Sequence, residues 1–221
     1  MASRSSQVSQ CQKPTGWLGR FSLWRMNASH SKVTDWGLEH ISVEKHHTVL
    51  DVGCGGGRTV RKLAAIATDG KIYGVDHSEE SVAASKNTNV HGIEMGRVEI
   101  RLGSVSQLPF SDDMFDLVTA VETHFWWPDL GSDMREIFRV LKPEGQLIII
   151  AEVYKGAHAM ASRLAEKYAR RTGMALLSAE EHRQLFTSAG LDVQLTADDH
   201  KGWICAIGRK PSNRKALTGH L

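Results

Sequence analysis

The 221-residue sequence predicts a doubly wound α/β fold built on a mostly parallel sheet. Three observations predict it. From residue 48 onward, short apolar runs alternate with helix-period patterns, the order that builds parallel strands with helical crossovers. The run at 115–122 has an apolar centre suited to burial on both faces. The last two strand-like runs are separated only by Asp198-Asp199-His200-Lys201. A parallel crossover needs about a dozen residues or more, so this final pair is expected to form a hairpin. The expectation is a seven-stranded, three-layer α/β/α sheet that ends in an antiparallel strand.

Taken in order, residues 48–52 (TVLDV) read as a buried strand, 57–67 as a helix and 71–76 (KIYGVD) as the second strand. Ser78 is placed to cap a helix reaching about Asn89, and residues 97–103 supply a third strand. After the fourth strand, Pro128-Asp129 starts a helix with Leu130, Met134, Ile137, Phe138 and Leu141 on one stripe. Lys142-Pro143-Glu144-Gly145 is expected to stop it, and residues 146–154 form the fifth strand. Ser178 and Glu181 have capping-box spacing, and Gly190 closes the helix that follows. Residues 191–197 and 202–210 are the last two strands.

Two pieces fall outside the alternation. Residues 16–45 are rich in tryptophan and expected to be largely helical. Residues 157–172 place Met160, Leu164 and Tyr168 on one helical face, with Arg163, Lys167 and Arg170 elsewhere. If they pack over the sheet, both lie near the carboxyl ends of the strands, where such folds bind ligands. The expected organisation is an N-terminal arm and helical cap (1–45), a ligand-binding domain (46–210) with a cap insertion at 157–177, and a flexible tail (211–221).

Composition narrows the function classes. A net charge of +2 creates no strong field, so neither nucleic acid nor a membrane is an expected partner. No apolar segment reaches the roughly 18 residues of a membrane span. The basic positions Arg163, Lys167, Arg170 and Arg171 read as a solvated helix face. Cys11, Cys54 and Cys205 are scattered without a CxxC pair, and no HExxH spacing occurs. A disulfide framework and a metal site are therefore not expected, and a reducing cytoplasm is the simplest setting. The first acid is Asp35, but the basic, serine-containing opening lacks an amphipathic stripe or apolar signal core, so it reads as a frayed terminus.

The chemistry concentrates in VLDVGCGGGRTV, residues 49–60, where Gly53, Gly55, Gly56 and Gly57 follow an apolar run containing Asp51. A GxGxxG fingerprint beginning at Gly53 fails at Arg58, and no GxxxxGK[ST] pattern occurs. Asp51 at the mouth would also repel a pyrophosphate. A ligand with a cationic portion fits better, and S-adenosylmethionine carries both a sulfonium and an ammonium group that a carboxylate favours. The glycine amides then remain for its carboxylate. Asp76, about 20 residues on at the end of the second strand, is placed to accept both ribose hydroxyls.

Four ordered segments carry a family resemblance: VLDVGCGGG, IYGVDHS, IRLGSVSQLPFSDDMFDLVTAVETHFWWPD and REIFRVLKPEGQLIII. Together they resemble class I S-adenosylmethionine-dependent methyltransferases, nearest to the small-molecule type 11 group, over about residues 45–210. The resemblance implies a Rossmann-like fold and site roles position by position. Asp51, Gly53, Cys54 and Gly55 would line the methionine portion, Asp76 would hold the ribose, and His77 would flank the adenine. The family usually has an acid and then a small residue before the LPF element. Here Ser104-Val105 stands in that place, which leaves a backbone amide at Val105 for the ring. Glu122, at the end of the fourth strand, would face the methyl-transfer cavity.

The expected reaction is in-line transfer of methyl to a small-molecule acceptor, yielding S-adenosylhomocysteine without a metal. His30, Glu122, His124 and Tyr154 are candidates for a base, should the acceptor need to lose a proton. Met26, Asn27, His30, Trp126, Trp127 and Tyr154 are candidates for the acceptor pocket. The alternative reading is a protein that binds or senses S-adenosylmethionine without transferring methyl. A nicotinamide dehydrogenase is disfavoured by the broken fingerprint. The sequence leaves the acceptor and the oligomeric state open.

Overall fold

The computed structural model describes residues 31–212. Met26, Asn27 and His30, with most of the N-terminal arm and of the tail, lie outside those residues. Helix α1 spans Ser31–Leu38. Then follow β1 (Thr48–Val52), α2 (Arg58–Ile66), β2 (Lys71–Asp76), α3 (Glu79–Thr88), the short α4 (Val90–Glu94) and β3 (Val98–Leu102). β4 (Phe115–Val121) leads through a 3-10 turn (His124–Trp126) into α5 (Leu130–Val140) and β5 (Leu141–Ala151). The chain closes with α6 (Met160–Thr172), α7 (Ala179–Ser188), β6 (Asp192–Asp198) and β7 (Trp203–Arg209).

The seven strands form one sheet in the order β3-β2-β1-β4-β5-β7-β6. β1 through β5 pair in parallel, and β7 runs antiparallel to both β5 and β6, as the four-residue link predicts. β1 has β2 on one side and β4 on the other, so the chain order reverses at β1. A crevice forms outside the carboxyl ends at such a reversal.

Strand periodicity builds the three layers. Val49, Ile72, Leu117, Ile148 and Ile150 point to one face and pack with Val60, Leu63 and Ala64 of α2 and Val33 of α1. Their alternates Leu50, Tyr73, Val118, Leu147 and Ile149 point to the other face, against Met134 and Ile137 of α5 and Phe186 of α7. Ile148, Ile149 and Ile150 are all fully buried, each contributing about 1.5–3 kcal/mol. α1 docks where Gly37 meets β5, since a Cβ there would lie 2.4 Å from Ile150 Cδ1.

The caps form as the residue types dictate. Ser178 and Glu181 complete a capping box, and the Asp129 side chain accepts from Ser132 N–H at 2.8 Å. One boundary differs from expectation. Leu141, placed on the α5 stripe by its spacing, is extended and pairs with Phe115 as the first residue of β5. Pro143 disfavours helical backbone at Lys142, and the helix ends before it. The expected stop at 142–145 becomes an irregularity within β5, with Glu144 at a φ of 67°. A second difference concerns α6, where Ser162 is the buried residue and Met160 and Leu164 face outward. The inward positions belong to small side chains, because Gly202 approaches so closely that a Cβ on it would lie 2.6 Å from Ser162 Oγ.

Candidate functional site

β1 turns directly through Gly53, Cys54 and Gly55 toward α2. Gly53, Gly55 and Gly57 have φ of 70°, 50° and 79°, a region glycine enters at little cost. Gly53 is fixed by contact as well: a Cβ there would lie 2.1 Å from Thr123 Oγ1, beyond the end of β4. The loop amides, however, are mostly committed within the fold. Gly53 and Cys54 N–H both donate to Val75 O at 2.8 and 3.0 Å, and Gly57 N–H donates to Cys54 O at 2.9 Å. Gly55 N–H donates to Asp76 Oδ2 at 2.9 Å. The expectation that these amides stay free for an anion is therefore corrected. The glycines serve a tight turn and a close approach.

Asp76 is held at both oxygens, since Ser78 N–H donates to its Oδ1 at 2.9 Å. Each oxygen retains a second lone pair for a donor in the crevice. Asp51, two residues before the loop, is 2% exposed and accepts from the Thr119 hydroxyl at 2.6 Å. Burial raises its carboxyl from 3.8 to about 7, the Thr119 hydrogen bond opposes that rise, and the charge of Asp76 adds to it. The pair concentrates negative potential at the end of β1 and β2.

A cavity of about 380 Å³ opens at the carboxyl edge, walled by Val52, Gly53, Val75, Asp76, His77, Gly103, Ser104, Val105, Thr123, Trp126, Trp127 and Pro128. Of the residues singled out from sequence, Gly53, Asp76, His77, Ser104, Val105, Trp126 and Trp127 are brought together here. Val52, Val75, Gly103, Thr123 and Pro128 were missed, as was Thr119 behind Asp51. Most of them sit at or just past the ends of recognised strands, and that position is the signal that could have found them.

Other candidates lie off this wall. The Cys54 thiol donates to Ser85 Oγ at 3.7 Å, and burial, with Asp76 and Asp51, pushes it well above its ordinary range. It packs against α3 instead of lining the cavity. Glu122 has a φ of 58° and its carboxylate takes the backbone N–H of Glu152, which draws it toward β5. His124 is fully buried, with its Nε2 3.2 Å from His182 Nε2 on α7. Burial, reinforced by the neighbouring imidazole, holds His124 well below 6.5. Tyr154 is 6% exposed and donates to Asp199 Oδ1 at 2.8 Å. Burial and that carboxylate push its phenol up to about 12. No group of three or more potential metal ligands occurs among the described residues.

Fold and cavity together define a Rossmann-like crevice with a fixed carboxylate at the end of the second strand. Residues 50–149 match a family model described as a methyltransferase domain of type 11. The chain is 31% identical over 180 residues to methyltransferase GfsG of Streptomyces halstedii, covering 80% of this chain and 64% of that protein. It is 35% identical over 111 residues to a demethylmenaquinone methyltransferase of Bacillus mycoides, covering 50% of this chain and 46% of that one. Among solved structures, it superposes with a TM-score of 0.75 and 22% identity on a chain from the complex of the Haloferax volcanii Trm112 methyltransferase activator with a putative methyltransferase, covering 88% of this chain and 96% of that one. The chain belongs to the class I S-adenosylmethionine-dependent methyltransferases, within the type 11 family. It spans less than two thirds of the length of both curated relatives described.

Proposed function

We propose that the protein transfers methyl from S-adenosylmethionine to a small-molecule acceptor by in-line displacement. The observation that carries this reading is Asp76, fixed by Gly55 and Ser78 at the cavity wall beside a glycine turn with no room for a side chain. On this reading Asp76 accepts the ribose hydroxyls, while His77, Gly103, Ser104 and Val105 flank the adenine. Asp51 lies behind Gly53 as the counter-charge for the methionine end. The cofactor supplies an electrophilic methyl on a sulfonium that is already a good leaving group. What remains for the chain is to align the acceptor and exclude water, and Trp126, Trp127 and Pro128 suit that role as apolar walls.

We assign no proton transfer to Glu122 or Tyr154, whose carboxylate and hydroxyl are engaged by Glu152 N–H and Asp199, or to His124, which is fully buried with its Nε2 turned to His182 on α7. The reading therefore favours an acceptor that is nucleophilic without a base from those three groups. Calorimetric titration with S-adenosylmethionine and S-adenosylhomocysteine tests it. Saturable binding is expected, weakened at least about tenfold in Asp76→Ala because hydrogen bonds to a charged acceptor are lost. Folded protein, free of copurified cofactor, that binds neither ligand overturns it. Binding without methyl consumption across a broad acceptor panel points instead to a sensing protein.

A further inference from the structure

α6 is attached at its ends and exposed along its length. Lys155 N–H donates to Leu177 O at 2.9 Å, closing the excursion that carries the helix. Ala157 before it and Leu176 after it cluster with Phe125 and with Trp126, which lines the cavity. Ser162 faces inward, whereas Met160 is 75% and Leu164 58% exposed. Arg163, Lys167 and Arg170, placed away from the face of Met160 and Leu164 by their spacing, are exposed with it on the outward side, as is Arg171. Of these four, only Arg170 has an ion-pair partner among the described residues, Glu166 at 3.9 Å. A whole-chain charge of +2 conceals this local surface.

We propose that α6 docks on an anionic lipid bilayer. An occupant must offer negative charge and an apolar medium together. The chain outside the described residues offers neither charge complement: residues 1–30 hold Arg4, Lys13, Arg20 and Arg25 without an acid, and residues 213–221 hold Arg214 and Lys215 without one. A second copy would set the same cations against each other. A bilayer meets both demands: its anionic headgroups meet the cations, and Met160 and Leu164 enter the acyl boundary. Each basic residue near such a surface strengthens binding about fivefold. No helix among the described residues is long and apolar enough to cross a membrane, and lying on the surface requires none. The docking itself stands apart from the proposed methyl transfer; only the consequence that the cavity edge then faces an apolar acceptor source rests on that reading.

The test is flotation of the full chain with phosphatidylcholine vesicles, with and without phosphatidylglycerol. Flotation is expected only with the anionic vesicles, and it should weaken as salt rises. Replacing Met160 and Leu164 by serine, with every cation kept, is expected to reduce it at least about tenfold through the lost apolar burial. An unchanged melting temperature and cofactor titration in that variant confirm an intact fold and keep the two proposals separable. Three results overturn the docking: no flotation, flotation insensitive to the serine pair, or equal binding to soluble polyglutamate, which would mean an acidic protein surface.

Discussion

Asp51 and Asp76 are both acids at strand ends, yet their surroundings separate them. Asp76 accepts one backbone N–H at each oxygen, whereas Asp51 has one hydroxyl and burial, and its carboxyl sits near 7. Because the folded protein keeps this proton where the unfolded chain has released it, the Asp51 contribution to stability declines as pH rises from 3.8 to about 7. A cationic ligand reverses the preference by favouring the carboxylate. S-adenosylmethionine affinity is therefore expected to fall below pH 7, and binding near pH 6.5 to release a proton. Titration in buffers of differing ionisation enthalpy measures that release. Asp51→Asn should flatten the dependence, losing at least about tenfold in affinity at pH 8 and little at pH 6. Gly53→Ala is expected to cost about 2–4 kcal/mol in chemical denaturation, from backbone strain and the clash with Thr123.

Between elements, the buried imidazole pair joins the turn after β4 to α7. His182 Nδ1 lies 2.8 Å from Ser178 O, so it carries the hydrogen, which leaves His182 Nε2 as acceptor and His124 Nε2 as donor. Both rings lie below 6.5, so the unfolded chain takes up protons that the native state refuses. Stability contributed here is present above pH 6.5 and lost as pH falls below it, opposite in sign to Asp51. Denaturation of His182→Asn should show a loss of about 1–2 kcal/mol at pH 8 that narrows toward pH 5. If His124 serves only this contact, kcat measured with the true acceptor should be nearly unchanged in His124→Asn. Sequence revealed His124 as polar and near the site, but its direction depends on α7, 58 residues away. The same limit explains α6: spacing shows that Met160 and Leu164 share a face, not which face the protein covers.

At the scale of the whole molecule, ligand binding at the β1 reversal joins the ends of three strands, so it stabilises the domain as a unit. At about a hundredfold excess over Kd, S-adenosylmethionine is expected to add about 2.7 kcal/mol and raise Tm by roughly 5–10 °C. Scanning calorimetry should find the shift cut to about half or less in Asp76→Ala at the same ligand concentration. The seven strands, the closing hairpin, the caps at Ser178 and Asp129, and Gly53 and Asp76 at the cavity were all legible in the sequence, because each depends on local periodicity, capping chemistry or chain length. Tertiary structure alone decided the partners of polar groups that face several directions. It committed the loop amides to Val75 and Asp76, turned Glu122 toward Glu152, buried His124 against His182 and tied Tyr154 to Asp199. The physical reason is range: backbone pattern is set by neighbours a few residues away, whereas a buried polar atom must be satisfied by whatever distant strand or helix the fold brings to it.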